Sequence, residues 1–115
     1  MGLNQTWAKI LGVVLVLVGL AGFFSGGNLL GFHVNTAHNL VHLLSGIIAL
    51  MAGFMGGGNY AKIYNVIFGV VYLLVALLGL FSVTFVVDLL TLNSADNWLH
   101  IVLAVVTFAI GIWAS

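Results

Sequence analysis

The sequence has 115 residues, 63% of them hydrophobic, and its only permanently charged side chains are two lysines and two aspartates. No charged shell could cover so much apolar surface in water, which excludes a soluble globule and points to an integral membrane protein whose first partner is the lipid bilayer. The absence of cysteine excludes a disulfide framework or a thiolate site, and a net charge of zero without a basic run gives nucleic acid no footing.

Four apolar segments are predicted to cross the membrane, at about residues 7–24, 36–55, 61–81 and 95–113. Each is near the roughly 20 residues needed to span a hydrocarbon core of about 30 Å. The first has the outline of a secretory signal, with Lys9 ahead of its apolar run, but we expect it to persist as a span. SGGN at 25–28 and GGGN at 56–59 read as turns, and residues 82–92 as a longer, still apolar connector. GGG at 56–58 is no phosphate loop, because no GK[ST] follows it. Asn35 or Thr36, and Asn93 or Ser94, stand where N-caps belong. There is no proline to kink a helix. Trp7, Trp98 and Trp113 sit near span ends, as an aromatic belt expects, and Tyr60 and Tyr64 do so on one side.

Lys9 and Lys62 open the odd-numbered spans, so both fall on one side of the membrane, while all four histidines and both aspartates fall toward the other. The positive-inside rule puts the lysines and both termini in the cytoplasm, in a multi-pass protein of the cell (inner) membrane.

The openings of the second and fourth spans correspond. Asn35, Ala37, Asn39 and His42 recur as Asn93, Ala95, Asn97 and His100, each 58 positions on, while His38 becomes Asp96. Gly46, Ala49 and Gly53 meet Ala104, Thr107 and Gly111 at the same offset, and GVVLVLVGLAGFFS at 12–25 aligns with GVVYLLVALLGLFS at 69–82. The expected fold is an all-α, integral membrane four-helix bundle forming one domain over residues 1–115. It consists of two tandem parallel helix-hairpin repeats, at about 7–55 and 61–113, with HNxxH and DNxxH at the starts of spans two and four. A spacing of four places His38 with His42, and Asp96 with His100, on single helix faces. The small residues at 46, 49, 53, 104, 107 and 111 continue those faces and suit close helix packing. His38, His42, Asp96 and His100 are therefore expected together at the non-cytoplasmic end, with Asn39 and Asn97 beside them or bound to loop carbonyls.

HNLVHLLSG, GVVYLLVALLG and NSADNWLHIVL resemble a family of small bacterial and archaeal four-helix membrane proteins, known as domain of unknown function number four thousand three hundred and eighty-three. The resemblance covers nearly the whole chain. It implies the four spans and no activity, and His33 lies outside its motif.

Four readings of the cluster follow. A hydrogen-bonded knot of His38, Asn39, His42, Asp96, Asn97 and His100 would tie spans two and four together, at about 0.6–2 kcal/mol per bond. Alternatively, His38, His42, Asp96 and His100 offer three imidazoles and a carboxylate to a transition metal, with the asparagines orienting the rings. Haem could take His42 and His100 as axial ligands, although no basic residue stands ready for its propionates, and chlorophyll could take a single histidine, His33 included. Proton or ion transport would need a relay, for which only Ser45 and Thr107 stand below the histidines. Asn28 and Asp88, each followed by two leucines, suit interfacial turns. No nucleophile, base and orienting acid coincide, so no enzyme is expected. The favoured reading is a non-enzymatic structural or accessory subunit that packs against other membrane protein subunits or copies of itself.

Overall fold

Helices form where the chain lacks breakers, and they stop where glycine or a cap intervenes. The computed structural model describes residues 2–115. Its elements are α1 (Leu3–Phe23), a two-residue antiparallel ribbon of β1 (Asn28–Leu29) and β2 (Phe32–His33), α2 (Thr36–Phe54), α3 (Ala61–Leu80), α4 (Thr84–Leu90) and α5 (Ser94–Trp113). The four long helices, α1, α2, α3 and α5, are long and apolar enough to cross a membrane. A tight turn at Met55–Gly58 joins α2 to α3, with Gly56 and Gly57 at φ of 60° and 67°, a backbone that other residues rarely adopt.

The long helices form two antiparallel hairpins, α1 with α2 and α3 with α5. Lipid tails are as apolar as leucine, so burial gives little net drive, and close van der Waals approach must hold each pair. Glycine makes that approach possible. A Cβ added at Gly46 would lie 2.7 Å from the Val16 nitrogen, and one at Gly19 would lie 2.9 Å from the Leu43 nitrogen. The second hairpin does the same, with Gly69 facing Phe108 and Gly111 facing Val66. Gly46, Ala49, Gly53, Ala104, Thr107 and Gly111 are all buried. Where contacts resolve the partner, Gly46 and Gly53 pack on α1 and Gly111 on α3, so these glycines serve the hairpin interiors.

Between the hairpins the apolar contact is modest, centred on Leu11, Leu15, Phe68, Tyr72 and Ala104. Polar ties reinforce it. At one end Asn4 binds the chain terminus, with its backbone nitrogen 3.0 Å from the Ser115 carbonyl, and Asn65 donates to Asn4 at 3.1 and 3.0 Å. Trp7 donates to the Thr107 hydroxyl at 3.0 Å, so this tryptophan is an inter-hairpin tie, unlike Trp98 and Trp113, which are exposed. A buried indole N–H in lipid must find an acceptor, and Thr107 is the one within reach. Within the hairpins, Gln5 and Lys62 donate to the carbonyls of Gly53 and Gly111, at 2.9 and 2.6 Å. Lys62 thereby caps the negative end of the α5 dipole.

Two connectors carry more structure than the sequence suggested. Residues 84–90 form α4, whose Leu90 is buried together with Leu92, and residues 28–33 form the β-ribbon. Both close over the end of the bundle opposite Lys9 and Lys62. The outer faces of the long helices stay apolar and exposed, as at Leu17, Leu44 and Leu74.

Gly46→Ala forces its methyl against backbone atoms of α1, which cannot yield as a side chain can. The variant should lose about 1–3 kcal/mol of stability, while Leu44→Ala on the outer face should change it by less than about 0.5 kcal/mol. Thermal unfolding in one detergent compares the two, and equal losses would refute the packing account.

Candidate metal centre

The site is built at the first turns of α2 and α5, where unpaired amide groups need acceptors. Asn35 caps α2, its Oδ1 accepting from the His38 backbone at 2.9 Å, and Asn93 caps α5 by accepting from Asp96 at 2.8 Å. The other end of each amide crosses to the opposite half. Asn35 Nδ2 donates to the Leu89 carbonyl and Asn93 Nδ2 to the Gly31 carbonyl, both at 2.9 Å. Each cap therefore starts a helix and anchors it to the other half's connector.

One turn further in, three imidazoles meet. Ring centroids are 4.4 Å apart for His38 and His42, 5.5 Å for His38 and His100, and 5.8 Å for His42 and His100. All three residues are buried, with exposures of 1%, 6% and 4%. One ligand nitrogen can be chosen from each so that all lie within 4.8 Å of one another. A metal with nitrogen donors at 2.0–2.1 Å places them about 3.3–3.6 Å apart, so slight ring rotations would close the set.

The tautomer of His38 follows from its surroundings. Its Nδ1 lies 3.0 Å from the Leu90 carbonyl, which can only accept, so Nδ1 carries the proton and Nε2 keeps the lone pair. Among the described residues that Nε2 is buried without a partner, as are Nδ1 of His42 and both ring nitrogens of His100. A carbonyl behind a ring whose other nitrogen is free is the usual way a metal-ligating histidine is held. The supporting carbonyl comes from α4, an element hidden from sequence reading because residues 82–92 carry no periodic signal. Tyr72, its ring edge-on to His100 at a centroid distance of 5.5 Å, was missed too. A single tyrosine within the apolar run GVVYLLVALLG was its only signal.

Asp96 stands apart from the three rings. Its Oδ2 accepts from the Asn93 backbone at 2.9 Å, completing a capping box. Asn39 and Asn97 are buried with Oδ1 unpartnered, each pressed against a glycine of its own hairpin, Gly22 and Gly79. His33 is exposed on β2, and Asp88 is exposed on α4. Below the rings, Ser45 accepts from Tyr64 on its carbonyl at 2.7 Å and meets the Tyr72 hydroxyl at 3.4 Å, while Thr107 receives Trp7.

The family model described as a domain of unknown function (DUF4383) matches residues 5–113. The chain belongs to the DUF4383 family. No curated protein and no solved structure matches it. The DUF4383 match takes in every residue of the histidine trio and both caps, so the site lies inside the family's own segment.

Asn93→Ala removes a helix cap and an inter-hairpin tie together, so it should cost about 1–2 kcal/mol. Amide exchange in the first turn of α5 should quicken, while that of residues 103–111 stays unchanged. An unchanged first turn would contradict the capping role.

Proposed function

We propose that this protein is a small, non-enzymatic integral membrane protein that holds one transition-metal ion through His38, His42 and His100. One observation carries the reading: three buried imidazoles converge with nitrogens that no group among the described residues satisfies. A purely structural knot should satisfy its polar atoms, since orphaned groups in a dry interior cost about 1–3 kcal/mol each. A metal takes one such nitrogen from each ring at once, and nitrogen donors suit zinc, copper, iron or nickel.

The accessory-subunit reading is compatible with this one and is supported by the exposed apolar faces and short connectors. On it, the metal would clamp α2 to α5 in a chain that acts by packing against other subunits or further copies of itself. We also read the two hairpins as tandem copies. Equivalent glycines and equivalent caps make equivalent contacts at offsets of 57 and 58 residues. Orientation follows from the lysines: both termini and Lys62 share one end, which we place in the cytoplasm of the cell (inner) membrane, leaving the trio toward the other side.

Untagged protein purified without chelators should carry close to one metal ion per chain by elemental mass spectrometry. His42→Ala and His100→Ala should lose it. A wild-type protein free of stoichiometric metal, and unable to take any up, would end this reading.

A further inference from the structure

We infer that the ion held by the histidine trio is monovalent copper, Cu(I), a conclusion that rests on the metal-binding reading and narrows it. The argument starts from donor count. His38, His42 and His100 supply three neutral nitrogens, and among the described residues no carboxylate joins the group of ligand atoms that lie within 4.8 Å of one another. The Asp96 carboxylate accepts from the Asn93 backbone, the Tyr72 hydroxyl meets Ser45, and Asn39 and Asn97 direct Oδ1 at Gly22 and Gly79. Cysteine is absent from the chain. A three-nitrogen site suits a d¹⁰ cation content with low coordination. Zinc on three histidines needs water or hydroxide as its fourth ligand, and divalent copper prefers four donors in a tetragonal plane.

Charge favours the same ion. The cost of burying an ion in a low-dielectric interior scales with the square of its charge, so a divalent cation pays about fourfold more than a monovalent one. Three imidazoles bring no compensating charge. Cu(I) therefore buries one positive charge among neutral donors, whereas a divalent ion buries two or must capture an anion. Because His38, His42 and His100 are 1%, 6% and 4% exposed, water has little access to supply that anion as hydroxide.

The test is a competition on the full chain in detergent micelles. Metal-free protein is equilibrated without oxygen against equimolar Cu(I) and Zn(II), then desalted and analysed for both elements, with circular dichroism to verify its helices. Copper should be retained at close to one ion per chain with at least about tenfold preference, and its absorption edge should show low-coordinate Cu(I) with nitrogen neighbours. His33→Ala should retain copper, and His100→Gln should lose it while keeping its helices. Preferential retention of zinc overturns the copper assignment and leaves the metal-binding reading standing. If helical protein retains neither, both fall.

Discussion

Inside a bilayer, helices gain almost nothing by hiding apolar surface from one another, and this structure is organised around that constraint. Cohesion has to come from close approach and from hydrogen bonds that lipid cannot supply. The chain uses both. Glycine contacts at Gly12, Gly19, Gly46, Gly69 and Gly111 hold each hairpin together, while side-chain hydrogen bonds join one hairpin to the other near both ends. Between those ends the hairpins part along one side. A cleft of about 580 Å³ runs between α2 and α3, from Met55 and Tyr60 up to Ser45 and Tyr72, with almost entirely apolar walls that a lipid chain could fill.

The same economy places the histidines. Asn35 and Asn93 each use one amide twice, with oxygen on their own helix and nitrogen on the other half's connector. Because the crossing bonds are reciprocal, the first turns of α2 and α5 are held at a common depth. His42 and His100 lie one turn further down and inherit that alignment. Their rings meet because the caps above them are fixed.

Much of this was legible in the sequence. Unbroken apolar runs of near 20 residues marked the spans, glycine clusters marked the turns, and the 58-residue offset singled out both caps and three histidines. These signals are local or periodic, so a single chain displays them. What stayed hidden depends on long-range placement. Trp7 read as a belt residue because its partner, Thr107, lies 100 positions away. Residues 84–90 read as a connector because seven residues are too few to show helical periodicity, yet their last carbonyl settles the tautomer of His38. Asp96 read as a possible ligand because its spacing from His100 matches that of His38 from His42. The competing pull of the Asn93 backbone could be weighed only once the first turn was in view.

That last contrast explains why the site has three rings. His38 and Asp96 occupy the same place in their helices, three residues past the cap, where the backbone N–H is given to the cap asparagine. A carboxylate there can reach back and accept from the cap's own backbone, as Asp96 does. An imidazole whose Nδ1 is protonated cannot return that bond through the same atom. His38 instead donates to Leu90, and its lone pair is left for the interior. One difference between otherwise matching positions thus sends one side chain back to its helix and the other toward its neighbours. The outcome is three convergent nitrogens on neutral rings, the arrangement on which the assignment of a monovalent ion rests.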